Sequence, residues 1–344
     1  MKLLIITQSI DKKNTVLGFF HSWVEEFAKR FEKITVICLE KGEYDLPQNV
    51  KVLSLGKEMG ESKMRYVLNF YNYIWNERKN YDTVFVHMNQ EYVLLGSLLW
   101  KLLGKKVTMW RNHHSGNFLT DVACLLCDKI FCTSKFSYTA KFKQTVLMPV
   151  GIDTDYFKFD DNAKRTPRSI LFLGRIAPIK KPDVLIEALR LLKTKGVPFK
   201  ASLYGDALSK DMDYYNSLKK RVGDYGLNEF VSFHKGIPNT ETALVYSKHD
   251  VFVNLSSSGM FDKTIFEAMA CGCVVLCTNK NLRDILPKSQ IVDLNPERIA
   301  ESILTVYNFS PDNRSETGRI QEGLVRKNSL RELAQKLQSE ITSK

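Results

Sequence analysis

The chain has 344 residues, more than one ordinary core needs and enough for two domains that each bury an interior. A hydrophobic share of 44% and a charged share of 26% exclude disordered and fibrous classes. The 50 Lys and Arg against 38 Asp and Glu give a net charge of +12, which favours polyanions; the excess is spread along the chain with no arginine-rich arm or zinc-finger spacing, which excludes nucleic acid as a partner.

The strand-like run LLIIT is followed by the helical pattern FFHSWVEEFAKRF, the strands ITVICLE and KVLSL, a helix around Tyr66 to Lys79 and the strand TVFVH. Strands alternating with helical patterns predict βαβ units and a parallel sheet. The apolar helix EYVLLGSLLWKLLG ends at Gly104, suited to a left-handed cap. The strand KVTMW, a helix from about Thr120 and the strands KIFCTS and TVLMPVG complete a first domain over residues 1–160. The polar, proline-bearing stretch KFDDNAKRTPRS from Lys158 reads as a linker.

From SILFLGR the pattern restarts as a second doubly wound domain over 168–328. It runs through PDVLIEALRLLKTKG, KASLYGD, YYNSLKKRVGDYG, VSFHKG, ETALVYSKH, DVFVNLS, TIFEAMACG and VVLCTN. The tail NSLRELAQKLQSEITSK reads as an amphipathic helix with Leu330, Leu333, Leu337 and Ile341 on one stripe and Ser329 as its N-cap. Seven scattered cysteines, including the Cys124/Cys127 and Cys271/Cys273 pairs, read as buried small apolar side chains and not as metal ligands. Met1 opens directly into a strand with no secretory leader, so a reducing cytoplasm is expected. No apolar run is long enough to span a membrane.

In open parallel sheets ligands gather beyond the carboxyl ends of the strands. SILFLGR exits into Gly174 and Arg175, with Lys180 and Lys181 just before a helix at Pro182; cations beside a positive helix end suit a diphosphate. KASLYGD exits into Gly205 and Asp206, a close-approach glycine and an acid that serves a turn equally well. DVFVNLS exits into a small-residue loop with Ser258, Gly259 and Met260, whose amides suit an anion at the start of the helix carrying Glu267. Glu267, flanked by Phe266, Ala268 and Met269, is a candidate to accept hydrogen bonds from a ribose diol.

In the first domain His87 ends the strand TVFVH; a strand-terminal histidine taken alone is more often structural. Gly18, in SIDKKNTVLGFF, precedes a helix where backbone amides meet a phosphate or an acceptor hydroxyl. Neither GxGxxG nor GxxxxGK[ST] occurs, which excludes dinucleotide dehydrogenases and P-loop NTPases. WRNHHSG brings Arg111, His113 and His114; adjacent histidines on an extended chain point opposite ways, so a metal pair is not expected, and one lines the acceptor side.

Four segments, GRIAPIKKPDVLIEAL, SSSGMFDKTIFEAMACGCVV, VGIDTDYF and TVFVHMNQ, together resemble the family 4 glycosyltransferases, the glycosyl transferases group 1, over nearly the whole chain. The resemblance implies an α/β GT-B fold of two Rossmann-like, doubly wound domains facing across a cleft. It implies retaining, metal-independent transfer of a sugar from a UDP- or GDP-sugar donor to a glycan or lipid-linked acceptor, without a cofactor. Arg175 and Lys180 would neutralise the departing diphosphate, Glu267 would hold the ribose and His87 would contact the transferred sugar. Gly174, Gly205, Asp206, Ser258, Gly259, Met260, Phe261, Asp262, Lys263 and Thr264 would line the donor, with Gly18 and His113 on the acceptor or phosphate side.

The family places a further glutamate eight positions before Glu267; this chain has Gly259 there, which passes the contact to Asp262 or Lys263. The last helix would pack back on the first domain, with hinges at Lys158 to Ser169 and near Asn328. Two other readings share the architecture: a GT-B nucleotide-sugar epimerase and a catalytically silent nucleotide-sugar binding subunit. The chain is expected in the cytoplasm. Aromatic-basic helices such as KFSYTAKFK, from Lys135, leave peripheral contact with an anionic membrane open, on its inner face.

Overall fold

The computed structural model describes residues 1–160, 163–256, 260–283 and 285–342. The chain forms two compact units: Met1–Gly151 with Pro238–Thr240 and Leu330–Lys344, and Ile152–Ile237 with Glu241–Ser329.

The first unit runs β1 (Lys2–Ile10), α1 (Phe19–Ala28), β2 (Lys33–Lys41), β3 (Val50–Ser54), α2 (Lys63–Asn76), β4 (Thr83–His87), α3 (Gln90–Leu102), β5 (Lys106–Trp110), α4 (Phe118–Leu126), β6 (Lys129–Cys132) and β7 (Thr145–Leu147). Its seven strands are parallel in the order β3-β2-β1-β4-β5-β6-β7. Successive residues of β1 serve opposite faces: Leu3 and Ile5 join one core cluster, Leu4 and Ile6 the other. That two-sided burial is why LLIIT is a continuous apolar run and not an alternating one. Right-handed crossovers that step one way across the sheet put α1 on the first face, and those that step the other way put α2, α3 and α4 on the second.

Local chemistry starts these helices where they start. Ser62 accepts a hydrogen bond from the Arg65 amide at 3.2 Å ahead of α2. A capping box joins Asn117 and Thr120 ahead of α4, which therefore begins at Phe118, before the expected Thr120.

The second unit runs β8 (Thr166–Leu173), α5 (Pro182–Thr194), β9 (Lys200–Tyr204), α6 (Met212–Asp224), β10 (Val231–His234), α7 (Asn239–Ser247), β11 (His249–Asn254), α8 (Lys263–Ala270), β12 (Val274–Cys277), α9 (Pro296–Tyr307) and α10 (Pro311–Lys327). Five parallel strands stand in the order β10-β9-β8-β11-β12. One core cluster joins Leu185, Leu189 and Leu192 of α5, Leu218 of α6 and Ile299 and Ile303 of α9 to alternate strand residues such as Val251 and Val253. The last helix, α11 (Leu330–Thr342), belongs to the first unit. Its Leu330, Leu333, Leu337 and Ile341 are buried with Trp23 and Phe27 of α1, and Glu340 pairs with Lys129 of β6 at 2.6 Å.

Three local readings give way to the structure. The stretch between VVLCTN and the tail, read without elements, holds α9 and α10. Pro296 and Pro311 look like breakers but occupy first helical positions, where the missing N–H costs nothing; Asn295 and Ser310 accept from the Arg298 and Asn313 amides at 2.9 and 3.2 Å. KFSYTAKFK is not an α-helix: it holds a short 3-10 turn at Tyr138–Lys141. The Ser137 and Thr139 hydroxyls donate to the Arg111 carbonyl, local bonds that compete with helix formation, and Lys141 is spent on Asp121 at 2.9 Å and on the Tyr138 ring. The stretch from Lys158 is not all loop, since β8 begins at Thr166; Arg165 anchors it by donating to the carbonyls of His249 and, at 2.9 Å, Cys271.

Candidate functional site

In the second unit the chain leaves β8 toward β9 on one side, while β11 returns on the other, so β8 and β11 flank the topological switch point. The loops beyond the carboxyl ends of these two strands are therefore the place where open α/β sheets gather ligands. Gly174 and Arg175 come directly after β8, and Asn254 is the last residue of β11.

Asn254 organises the start of α8. Its Nδ2 donates to Asp262 Oδ2 at 3.1 Å and Thr264 Oγ1 at 3.2 Å, and its Oδ1 accepts from the Ser256 amide at 3.1 Å. Asp262 in turn pairs with Lys180 at 2.6 Å, so the loops after β8 and β11 are joined by an ion pair. Burial alone would raise the Asp262 carboxyl; the Lys180 charge, with hydrogen bonds from Lys180, Asn254 and Thr264, outweighs it and holds the group below the ordinary carboxylate range. Arg175 is exposed and has no ion-pair partner among the described residues.

Lys263 opens α8, and Glu267 lies one turn further along. Burial pushes the Lys263 amine down to about 8, against the attraction of Glu267 and Asp153. Glu267 is 4% exposed and accepts from the Tyr246 hydroxyl at 3.2 Å, and the Tyr246 phenol is itself raised by complete burial. Nearby, Asn279 Nδ2 donates to the Met260 carbonyl at 2.8 Å, and Phe261 lies 6.0 Å from the Phe266 ring. Ser258 and Gly259 lie outside the described residues.

The strand-exit glycines are stereochemical requirements. Gly174 and Gly205 both have φ of 155°, and a Cβ on Gly205 would sit 1.9 Å from the Gly174 carbonyl oxygen. The exits are laced by Gly174 N donating to Tyr204 O at 3.0 Å, Gly205 N to His234 O at 3.1 Å and Ile176 N to Asp206 O at 3.0 Å. Asp206 is exposed. Lys181, a non-glycine residue at φ 55°, precedes α5; a left-handed lysine costs about 1 kcal/mol and is held here between the 3-10 turn of Pro178–Lys180 and the helix.

In the first unit His87 ends β4, which with β1 flanks the switch point of that sheet. It is 2% exposed, stacks on Phe20 at 3.9 Å and 11°, and its Nδ1 meets Thr7 Oγ1 at 3.1 Å. Met88, directly after it, has φ of 70°, so the chain turns sharply at this point. Gly18 donates its amide to the Asn14 carbonyl at 3.0 Å, and a Cβ there would meet that oxygen at 2.6 Å. Asn14 Oδ1 accepts from the Val16 and Leu17 amides at 2.9 and 2.8 Å, which folds the loop onto itself ahead of α1.

His113 and His114 are exposed, and their rings stack at 4.6 Å, contrary to the expectation that they diverge. β5 ends at Trp110, so the pair lies in a loop and strand alternation does not govern it. His113 Nδ1 accepts from the Ser115 amide at 3.1 Å. No group of three or more His, Cys, Asp or Glu among the described residues could hold a metal ion, and all seven cysteines are buried and free of disulfides.

The structure thus brings Asp262 and Thr264 together around Asn254, with Lys180 joined through Asp262, Lys263 and Glu267 on the α8 that follows, and Gly174, Arg175 and Gly205 at neighbouring strand exits. Asn254 and Tyr246 do not stand out in the sequence. An asparagine at the last position of an apolar strand is the available signal for the first; a tyrosine inside a helix carries none for the second.

The family described as Glycosyl transferases group 1 matches residues 153–314, and the one described as Glycosyl transferase 4-like matches residues 10–114, together most of the chain. A D-inositol 3-phosphate glycosyltransferase of Frankia alni is 28% identical over 151 residues, covering 40% of this chain and 37% of that protein. A GDP-mannose-dependent alpha-(1-6)-phosphatidylinositol monomannoside mannosyltransferase of Mycolicibacterium smegmatis is 29% identical over 146 residues, covering 38% and 37%. The matched part of the chain therefore spans little more than a third of these relatives.

Among solved structures, Anabaena HepE in complex with UDP aligns with a TM-score of 0.80 at 17% identity over 100% of both chains. Sucrose-phosphate synthase from Thermosynechococcus elongatus aligns at 0.75 and 15% over 98% of both. At such identities the likeness concerns the fold. On the two family matches and this fold, residues 153–314 belong to the glycosyl transferases group 1, residues 10–114 match the glycosyl transferase 4-like family, and the chain has the GT-B type of α/β architecture.

Proposed function

We propose that this chain is a retaining, metal-independent glycosyltransferase that moves a sugar from a UDP- or GDP-sugar to a glycan or lipid-linked acceptor. The observation that carries the reading is the cation set at the switch point of the second unit: exposed Arg175, Lys180 held by Asp262, and Lys263 at the start of α8. Fixed cations and a helix N-terminus stabilise the charge that grows on a departing diphosphate, the role a metal ion plays elsewhere. Glu267, buried and oriented by Tyr246, is a rigid acceptor for the two hydroxyls of a ribose.

Asp262 is the carboxylate nearest to the position where the family has its further glutamate, and in this reading it is shared between Lys180 and the donor sugar. His87, Gly18 and His113 keep the sugar and acceptor roles that the family resemblance implies. The names of relatives support both donor bases: HepE was solved with UDP and with UDP-glucose, and the mannosyltransferase is GDP-mannose-dependent.

The test is thermal stability against UDP, GDP, ADP and CMP, with and without magnesium, for the native chain and Arg175→Ala. One nucleoside diphosphate should raise the melting temperature without magnesium, and the substitution should cost about ten- to a hundredfold in affinity, the worth of a charged hydrogen bond. Absence of any shift with all diphosphates defeats the donor-site assignment.

A further inference from the structure

We propose that the face of the first unit built by α2, α3 and α4 docks on an anionic lipid bilayer. Each helix buries one side against the sheet, through Phe70 and Ile74 on α2, Val93 and Trp100 on α3, and Ala123 and Cys124 on α4. Each carries apolar residues on its outer side as well, which a helix that merely covers a sheet does not need.

On α2 the exposed Met64, Leu68, Tyr71 and Trp75 recur at i, i+4, i+7 and i+11, one stripe of a helix. On α3 Leu95, Leu98 and Leu102 form a second, and the last two keep 73% and 78% of their surface in solvent. On α4 Phe118 and Leu125, i and i+7, form a third. The stripes adjoin: Tyr71 donates its hydroxyl to the Leu95 carbonyl at 2.9 Å, and Thr120 donates to Gln90 Oε1 at 2.8 Å, tying α4 to α3. Scattered surface leucines are ordinary; three neighbouring helices with outward stripes are an apolar patch.

The charges around the patch name its partner. Lys63 and Arg65 stand at the start of α2, Arg78 and Lys79 follow its end, and Lys101 lies in the last turn of α3. The acids are few or spent. α2 has none, Glu77 just after it is bound to Lys51 at 2.7 Å, and Asp121 of α4 is bound to Lys141 at 2.9 Å, which leaves Glu91 on α3 and Glu61 just ahead of α2 against the five cations. Arg78 lies over the Trp75 ring at 4.3 Å, an amphipathic pair suited to the headgroup level. Apolar stripes rimmed by cations complement acyl chains beneath phosphate headgroups. A second copy meeting this face across a two-fold axis would set the same cationic rim against itself. No helix among the described residues is long and apolar enough to cross a membrane, so the contact is peripheral.

This proposal does not rest on the transfer reaction, and its test measures no activity. Of the four tryptophans, Trp23, Trp100 and Trp110 are buried and Trp75 is 49% exposed, so Trp75 reports on the face. The intact chain is sedimented with phosphatidylcholine vesicles and with vesicles that also contain phosphatidylglycerol, at low and high salt, and tryptophan quenching by brominated lipid is recorded. Binding to the anionic vesicles that salt weakens, with quenching, is expected.

Leu98→Glu/Leu102→Glu should lower partitioning by at least about tenfold with an unchanged melting temperature, since both side chains are exposed. Lys63→Glu/Lys101→Glu should lower it while leaving the apolar stripes intact. Native chain that ignores anionic vesicles overturns the proposal, as does equal binding by the leucine variant. A dimer in sedimentation velocity that the leucine variant dissolves would make the face a contact between copies and overturn it too.

Discussion

Lys263, which opens α8 one turn before Glu267, gives the candidate site an expected pH dependence. With its amine pushed down to about 8, Lys263 is a cation below that pH and neutral above it. Nucleoside diphosphate affinity should therefore fall by about tenfold as the pH rises from near neutrality through 8 and beyond, the worth of one charged hydrogen bond. Titration calorimetry across that range should show the fall in the native chain and a flat profile in Lys263→Met; parallel profiles would remove Lys263 from the site. The stability of the free protein moves the other way. Between the folded value and the ordinary lysine value of 10.5 the unfolded chain binds more protons, so Lys263 adds stability as the pH rises, and the methionine variant should lack that gain. Two glycines give a paired prediction. Gly205→Ala forces a Cβ to 1.9 Å from a backbone oxygen and should cost at least about 2 kcal/mol in denaturant unfolding; Gly174→Ala meets no atom within 4 Å and should cost about 1 kcal/mol, for its backbone conformation alone.

Among the elements, α11 is the informative one. Its four buried apolar residues follow the helix period and are legible in the sequence, because a stripe at i, i+3, i+7 and i+11 demands a surface whatever that surface is. Leu337→Ala should destabilise the first unit by about 3 kcal/mol in chemical denaturation, through loss of burial plus the cavity left beside α1. Leu102→Ala, exposed on α3, should stay within about 0.5 kcal/mol; equal losses would mean that α11 is not part of that core. α9 and α10 escape a reading of the sequence because their prolines announce a break while sitting where a helix tolerates them. KFSYTAKFK misleads the opposite way, since hydroxyl side chains that bond to the backbone of another loop leave no mark in a composition of aromatic and basic residues.

For the whole molecule, the repeat of two doubly wound sheets implies a division of labour that hydrogen exchange can check. A nucleoside diphosphate should slow exchange at the β8 and β11 exits and the start of α8, with the largest effect in the second unit; protection confined to the loop from Asp11 to Gly18 would move the donor to the first unit. The alternation of strands and helices, the two-domain count, the strand-exit glycines and the cations after SILFLGR were all determined by the sequence alone. They are local in origin: apolar period, missing Cβ and fixed charge show within a few residues of chain. Tertiary structure alone decided that Asp262 would pair with Lys180, that Asn254 would hold the start of α8, that Tyr246 would orient Glu267 and that three outward stripes would adjoin. Each of these joins segments distant along the chain, and the order in which parallel strands stand side by side, which sets those neighbours, depends on packing between helices and sheet that no single segment encodes.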